Sequence, residues 1–154
     1  MQTLDACRLR AMNDIRPAGS HRPPLVIVVA AVVVSSGRVL LTRRKQGTHL
    51  AGFWEFPGGK VEHGENPTEA LNRELTEELG VSSRIGAPFA FGYHEYETLG
   101  VLLLTYEAAL DGSPRAIGCS ELGWFSAAQI AGLDIPPADG PILERLLPLL
   151  GHEP

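Results

Sequence analysis

The chain has 154 residues, of which 44% are hydrophobic, and its formal net charge is −5. This length is enough for one domain with a substantial core and leaves no room for a second. The acidic balance disfavours long nucleic acids as the main ligand, because the overall field repels polyanions. The two cysteines, Cys7 and Cys119, are too few for a disulfide scaffold and lack metal-site spacing. We therefore expect free thiols in a reducing cytoplasm.

The first part of the chain is polar and irregular, and it contains no apolar run of the kind that forms the core of a signal peptide. We expect residues 1–23 to be a flexible N-terminal extension and residues 24–152 to be a single domain. An arm that covers the functional site or a partner subunit is the alternative for the extension. The apolar pattern singles out no subunit interface, so monomer and homodimer both stay open.

The most hydrophobic segment extends from Leu25 to Val34, which is about half the length that a membrane span requires. We therefore expect no membrane partner and a cytoplasmic location. The β-branched content of this segment predicts a strand that is buried on both faces. A turn at Ser35–Gly37 and a second strand at Arg38–Arg44 complete a predicted hairpin. A short aromatic strand, Gly52–Phe56, follows.

A helix is predicted from Pro67 to Leu79. Asn66 is a favourable N-cap, proline suits the first helical position, and Glu69 stands where a capping-box carboxylate reaches back. Gly80 suits the position just beyond the helix end. The capping residues therefore set both ends of this helix.

Three carboxylates gather on one face of that helix, beside an apolar stripe. Glu74, Glu77 and Glu78 fall within roughly one third of the circumference. Their mutual repulsion and their place near the helix C-terminus are unfavourable, and a divalent cation would reverse both penalties. Oxygen ligands of this kind suit Mg²⁺, for which Mn²⁺ can substitute. A solvated acidic surface is the alternative interpretation.

After the helix, Ile85–Glu97 and Gly100–Leu110 are predicted to be antiparallel strands joined by a turn. Glu121–Phe125 is a last strand, and a short helix begins near Ser126. Apolar residues at helical spacing predict a closing helix over Pro141–Leu150, interrupted by Pro148. Strands and helices thus alternate around a mixed sheet, which indicates the α/β (α+β) fold class.

The stretch from Gly59 to Val81 has a glycine, five residues, a glutamate, seven residues and then Arg-Glu-Leu-x-Glu-Glu-x-Gly-Val. This pattern resembles the complete signature of the Nudix hydrolase family. The flanking segments Trp54–Lys60 and Pro136–Asp139 are similar to the MutT-type branch, which hydrolyses nucleoside triphosphates to monophosphate and pyrophosphate by attack of water at the β-phosphorus. The resemblance covers roughly residues 26–150 and implies an α/β/α sandwich with a mixed sheet.

The resemblance also implies roles for individual residues. The expected metal ligands are Glu74, Glu77, Glu78 and the carbonyl of Gly58. Either Glu74 or Glu65 would take the proton of the attacking water, and the residues leave this choice open. Arg73 would hold one glutamate in position, because a guanidinium can grip a carboxylate at two points.

Expected substrate contacts follow from the same resemblance. They are Arg44, Phe56, Gly59, Lys60 and Asp139. Arg44 ends a predicted strand and would meet phosphate or base, the alternative being an ordinary edge-strand charge. Phe56 would lie beside the base. Asp139 stands where relatives that remove oxidised guanine nucleotides have asparagine, and an ionised carboxylate only accepts hydrogen bonds.

The implied function is Mg²⁺-dependent cleavage of a small nucleotide, in a MutT-like enzyme that clears 8-oxo-dGTP and related nucleotides and so supports DNA repair. The acceptor at Asp139 also favours cytosine nucleotides, so a CTP pyrophosphohydrolase is one alternative. Cleavage of triphosphorylated RNA 5′ ends and a non-catalytic nucleotide sensor are the others. Whether His94 and Glu121 take part in the reaction stays open. The spacing between Glu121 and Trp124 differs from that of the acidic ligand in MutT-type enzymes.

Overall fold

A computed structural model describes residues 21–151 of the chain. The predictions for most of the N-terminal extension, for Cys7 and for residue 152 lie outside these residues. The elements in chain order are β1 (Leu25–Val32), β2 (Val34–Ser35), β3 (Arg38–Arg43), β4 (Trp54–Glu55), β5 (Gly58–Lys60), α1 (Pro67–Leu79), β6 (Ser82–Glu95), β7 (Gly100–Asp111), β8 (Glu121–Phe125), α2 (Ala127–Ile130) and α3 (Gly140–Leu146), with 3₁₀ helices at Pro137–Asp139 and Leu147–Leu149. No helix in the described part is long and apolar enough to cross a membrane.

The larger sheet is mixed, as expected. Its strand order is β5-β1-β7-β6, with β1 and β7 parallel and the other neighbours antiparallel. A second, antiparallel sheet is built around β3, which pairs with β2, β4 and β8. The sequence pattern did not indicate this division into two sheets.

The predicted hairpin between Leu25–Val34 and Arg38–Arg44 is wrong in its pairing. The hydrophobic segment divides at Val33: β1 pairs with β5 and β7 in the mixed sheet, and only the two residues of β2 pair with β3. Burial on both faces also holds for only part of the segment. The C-terminal half of β1 is buried, whereas Leu25, Ile27 and Val34 are exposed. Neighbouring strands, which are distant in sequence, decided where the segment divides.

Alternate residues of β1 face two separate cores. Val29 and Ala31 pack with the apolar stripe of α1, whereas Ala30 and Val32 pack with Ile130 of α2 and with residues of α3. A layer of helix therefore covers each face, which confirms the α/β/α sandwich.

The segment that precedes the signature loop forms strand β5, which was not predicted. Its residues pair with β1 through Val28–Lys60, Val29–Gly59 and Ala30–Gly58. A Cβ atom at Gly58 would overlap the carbonyl oxygen of Val29, so only glycine allows this close approach. Pairing with β1 brings the start of the signature next to α1.

The remaining elements agree closely with expectation. Helix α1 and β8 have the predicted bounds, and β6 and β7 differ from prediction by only a few residues. The closing helix is shorter than expected, because α3 ends at Leu146 and a 3₁₀ turn containing Pro148 follows.

Candidate active site

The capping residues of α1 act as their sequence predicts. The Asn66 side chain accepts a hydrogen bond from the Glu69 N–H at 2.9 Å, and the Glu69 carboxylate accepts one from the Asn66 N–H, also at 2.9 Å. Gly80 ends the helix in the left-handed conformation, with a φ of 66°. The buried face of the helix consists of Ala70, Leu71, Leu75 and Leu79. Burial of this stripe fixes the rotation of the helix about its axis.

That rotation turns the three glutamates of α1 toward one space. Glu74, Glu77 and Glu78 line a cavity of about 280 Å³ that also borders Gly58 of β5, and we call it the carboxylate cavity. The same cavity is also lined by Arg43, Arg44, Lys45, Thr48, Glu55, Gly118 and Cys119. Acidic and basic side chains thus line one cavity.

Arg73 connects the signature glutamates to one another. Its guanidinium donates two hydrogen bonds to Glu65, at 2.7 and 3.1 Å, and one to Glu74 at 2.8 Å. Further bonds reach Glu77 at 3.3 Å and the carbonyl of Lys60 at 3.0 Å. Hydrogen bonds to Glu65 and Glu74 raise the pKa of Arg73 above its ordinary value, so the side chain stays charged.

Glu65 is held differently from Glu74. Both of its carboxylate oxygens bond to Arg73, and one also accepts a hydrogen bond from the Glu62 N–H at 2.7 Å. The bonds from Arg73, and then the one from Glu62, lower the pKa of the Glu65 carboxyl. Glu74 gives only one oxygen to Arg73. Of the two candidates for accepting a proton, Glu74 keeps the freer carboxylate.

Glu78 is a largely buried glutamate of the carboxylate cavity. Burial raises the pKa of its carboxyl to about 7, and the nearby charges of Glu55 and Glu74 add to the rise. The Gly58 N–H donates a hydrogen bond to the Glu78 carboxylate at 3.0 Å, and this bond partly opposes the rise in pKa. A buried carboxyl crowded by other carboxylates is in the electrostatic setting that a cation relieves.

The expected metal ligands are present but not drawn together. Within residues 21–151, no three carboxylate, imidazole or thiol groups converge into a finished metal site. Instead, Glu74 and Glu77 bond to Arg73, and Glu78 bonds to the backbone of Gly58. The donors that line the cavity are oxygens, which Mg²⁺ and Mn²⁺ prefer. The residues therefore fit a divalent cation of this class.

Gly59 of β5 lies directly beside a helix glutamate. A Cβ atom at Gly59 would overlap the carboxyl group of Glu74. The absence of a side chain thus lets this carboxylate lie against β5. Gly59 and Lys60 also line a second cavity, and Lys60 is exposed.

The second cavity has a volume of about 210 Å³ and is lined mainly by apolar residues, so we call it the apolar cavity. Phe56 forms part of its wall and is buried in the core, where it packs with residues of β1 and α3. His49 and Tyr96 stand at the same cavity with their rings edge to face, 4.9 Å apart. Aromatic and aliphatic walls of this kind suit a planar ring.

The two cavities share a wall formed by Arg44, Glu55 and Gly58. Arg44 bonds to both oxygens of Glu55, at 2.9 and 3.0 Å, and to the carbonyl of His49 at 2.6 Å. Burial raises the pKa of Glu55, whereas Arg44 opposes this rise. The charge of Arg44, expected to meet a ligand, is thus already balanced by a carboxylate.

Asp139 lines the apolar cavity and is only 4% exposed. Its Oδ2 atom has no hydrogen-bond partner in the described part of the chain. Burial raises the pKa of the Asp139 carboxyl to about 8, the charge of Glu55 adds to the rise, and a bond with the backbone of Phe56 opposes it. A buried polar atom without a partner is costly, which indicates that a ligand group completes it.

Two residues whose participation was left open lie at the periphery. The ring of His94 contacts the ring of Tyr96 at 4.6 Å, but His94 does not line either cavity. Glu121 is exposed and pairs with Arg43 at 3.2 Å, outside the carboxylate cavity lining.

Sequence reasoning missed several residues of the site, which are Lys45, His49, Glu55, Tyr96 and Cys119. Glu55 had a weak signal, because alternation with Trp54 and Phe56 in a strand places it on the opposite face. Cys119 is free and buried, and burial raises the pKa of its thiol. The others lie in loops, where no periodicity shows which way a side chain points.

Comparison with known proteins agrees with this geometry. The model of the NUDIX domain family matches residues 23–146. The CTP pyrophosphohydrolase of Escherichia coli (strain K12) is 35% identical over 121 residues, covering 77% of this chain and 88% of that protein. The 8-oxo-dGTP diphosphatase of the same organism is 31% identical over 112 residues, covering 72% and 87%.

Solved structures extend the comparison to three dimensions. The crystal structure of a MutT NUDIX hydrolase from Burkholderia pseudomallei superposes with a TM-score of 0.69 at 30% identity, covering 79% of this chain and 98% of that one. The family match, the relatives and the site agree, and the chain therefore belongs to the Nudix hydrolase family, in its MutT-type branch.

Proposed function

We propose that this chain is a Mg²⁺-dependent pyrophosphohydrolase that cleaves a (deoxy)nucleoside triphosphate to nucleoside monophosphate and pyrophosphate. The observation that carries this proposal is the wall that the two cavities share. A nucleotide lying across this wall puts its base in the apolar cavity and its phosphates in the carboxylate cavity. We propose a cytoplasmic location, since free nucleoside triphosphates are found there.

Glu74, Glu77, Glu78 and the carbonyl of Gly58 would hold the divalent cation. When bound, it neutralises phosphate charge and acidifies a water molecule. The remaining work falls to side chains of this chain. Arg73 orients Glu65 and Glu74, and Glu74 accepts the proton of the attacking water, because Glu65 has both oxygens bonded to Arg73.

The base is read at Asp139. An acceptor there suits the amino group of cytosine or the N1–H and amino edge of guanine. A carboxyl group whose pKa is about 8 is mostly protonated at pH 7, and it can then donate as well as accept. Accepting a hydrogen bond from cytosine is compatible with the relative named CTP pyrophosphohydrolase. Accepting and donating hydrogen bonds to guanine is compatible with the relative named 8-oxo-dGTP diphosphatase. We propose clearance of 8-oxo-dGTP and related nucleotides as the main role, with cytosine triphosphates as the alternative.

A substrate panel tests this proposal. Purified protein with Mg²⁺ is assayed on 8-oxo-dGTP, dGTP, CTP, dCTP, ADP-ribose and a triphosphorylated short RNA, and monophosphate and pyrophosphate release are measured. We expect the highest kcat/KM on 8-oxo-dGTP. A clear preference for CTP or dCTP would move the assignment to the alternative, and a preference for RNA would contradict both. No turnover of any compound would favour a nucleotide sensor.

Asp139→Asn is expected to change base preference. An amide always donates and accepts and never carries a negative charge, so the variant should gain activity on 8-oxo-dGTP relative to CTP. We expect the ratio of the two kcat/KM values to change by about tenfold, the effect of one hydrogen bond to the base. A ratio that stays within twofold of wild type would contradict contact between Asp139 and the base. Glu144→Gln, on the exposed side of α3, is the control.

The same substitution should alter the pH dependence of stability. The folded-state pKa of Asp139, about 8, lies above the ordinary value of 3.8, so the native state keeps a proton that the unfolded state loses. Native stability therefore falls as pH rises between about 4 and 8. Asp139→Asn has no proton to lose at this position, so its stability does not fall in this way. In urea unfolding, its free energy of unfolding should exceed that of wild type by an amount that grows with pH, to on the order of 1–3 kcal/mol at pH 8.

A further inference from the structure

We propose that Lys45 binds the terminal phosphate of the triphosphate and sets the enzyme's preference for triphosphates over diphosphates. This inference rests on the proposed function and extends it to a residue outside the Nudix signature. Lys45 lies in the loop after β3 and lines the carboxylate cavity together with the helix glutamates.

The positive side chains of the carboxylate cavity differ in whether a carboxylate already balances them. Three cations line this cavity, and within the described part of the chain two of them pair with carboxylates. Arg43 pairs with Glu121 at 3.2 Å, and Arg44 pairs with Glu55 at 2.9 Å. Among the described residues, the Lys45 ammonium donates only to a backbone carbonyl, that of Ile117, at 3.4 Å. Its positive charge is therefore the one that a polyanion entering the cavity can use.

A second observation is that the position of Lys45 is tied to that of Glu78. The Glu78 carbonyl accepts hydrogen bonds from the N–H groups of Ile117 and Gly118, both at 3.0 Å. The Ile117 carbonyl then accepts from the Lys45 ammonium. A Cβ atom at Gly118 would crowd the Cα atom of Glu78, so glycine permits this close approach. A short chain of hydrogen bonds thus sets the ammonium group relative to the end of α1.

The backbone of Lys45 is also held in place. The Thr48 hydroxyl donates to the Lys45 carbonyl at 2.6 Å, which closes the turn that follows. Thr48 itself lines the carboxylate cavity. The ammonium group keeps donors beyond the one used on Ile117, since a lysine offers three.

The chemistry of the ligand matches this arrangement. The helix glutamates, with their cation, suit the phosphates near the bond that breaks. The phosphate farthest from the nucleoside needs a separate positive charge, and a compact, flexible ammonium is well suited to it. A nucleoside diphosphate is one phosphate shorter, so its chain would not extend to Lys45. The lysine therefore discriminates by the length of the phosphate chain.

The test compares Lys45→Met with wild type in the full chain. KM is measured for the best triphosphate in the panel, and the inhibition constants are measured for the matching diphosphate and for inorganic pyrophosphate. We expect KM for the triphosphate and the inhibition constant for pyrophosphate to rise about tenfold, the effect of one charge-assisted hydrogen bond reduced by exposure to solvent. The diphosphate constant should change less than about twofold.

Two further variants make the outcome decisive. Lys45→Arg keeps the charge and should retain most of the triphosphate affinity. Arg115→Met removes an exposed cation from the neighbouring loop that does not line the cavity, and it should behave as wild type. Equal weakening of triphosphate and diphosphate in Lys45→Met would reveal a loosened loop and overturn the proposal, as would unchanged constants.

Failure of the proposed function can be separated from failure of this inference. If the wild-type chain turns over no nucleotide, the proposed function is wrong. Binding of inorganic tripolyphosphate with Mg²⁺, measured by calorimetry, then tests Lys45 directly. A Lys45→Met affinity that is weaker by about tenfold would support the phosphate contact, and an affinity equal to that of wild type would refute it.

Discussion

Glu78→Gln is expected to lower kcat by about 10³-fold or more while leaving the fold intact. Glu78 is a largely buried glutamate of the carboxylate cavity, and an amide is neutral and a poor ligand for a hard cation. The measurement is pyrophosphate release at saturating nucleotide over a range of Mg²⁺ concentrations. Excess Mg²⁺ should recover little activity, because the lost ligand is charged.

The thermal stability of Glu78→Gln should stay equal to that of wild type or rise, although its kcat falls. The folded-state pKa of Glu78, about 7, lies above the ordinary value of 4.5, so ionisation of this group destabilises the native state as pH rises between these values. Without metal at pH 8, Glu78→Gln should therefore unfold at a temperature equal to or above that of wild type. Loss of activity together with loss of the folded state would instead indicate a structural role.

The matched control for this variant is Glu144→Gln. Glu144 is an exposed glutamate of α3 and lies outside both cavities. We expect wild-type kcat and KM from it. A Glu78→Gln enzyme with more than about a tenth of wild-type kcat would contradict a role of Glu78 at the metal.

Arg73→Met is expected to lower kcat by about 10²-fold and to raise the Mg²⁺ concentration needed for half-maximal activity. Arg73 is a positioning residue: it bonds to Glu65, Glu74 and Glu77. Its removal leaves these carboxylates to repel one another and to lose their orientation. KM for the nucleotide should change much less than kcat, since Arg73 does not line the carboxylate cavity or the apolar cavity.

Stability provides an independent readout for Arg73. The bond from Arg73 lowers the pKa of Glu65 in the folded state, so this pair stabilises the protein above the unfolded pKa, and the stabilisation is lost as pH falls through the folded pKa. Acid unfolding of Arg73→Met should therefore begin at a higher pH than in wild type.

Two comparison variants complete the experiment. Arg73→Lys should recover only part of the activity, because one ammonium cannot span the two oxygens of Glu65 and also reach Glu74. Arg84→Met removes an exposed ion pair with Asp111 at 3.2 Å and should leave activity unchanged. Full activity in Arg73→Met would refute the positioning role.

Local interactions explain what the sequence predicted correctly. The ends of α1 depend on Asn66, Glu69 and Gly80, which lie within or next to the helix. The shared direction of Glu74, Glu77 and Glu78 depends only on helical geometry and on burial of the neighbouring stripe. These features were readable because each one is set by residues a few positions apart.

Local patterns could not predict that Asp139 is buried. They also could not predict which carboxylates pair with Arg43 and Arg44. Arg44 meets Glu55 across the pairing of β3 with β4, and Arg43 meets Glu121 across its pairing with β8. Asp139 becomes buried because its 3₁₀ helix packs against the mixed sheet. Each of these contacts joins residues that are far apart in the sequence.

The sequence by itself determined the family, the position of α1 and the set of carboxylates that the chemistry requires, since helix caps and helical spacing act over short distances. Only the tertiary structure decided how the hydrophobic segment from Leu25 divides between two sheets and which cations remain available at the cavity. Strand pairing and ion pairing depend on which distant segments meet. That choice is made by the packing of the whole domain, and no local pattern of residues encodes it.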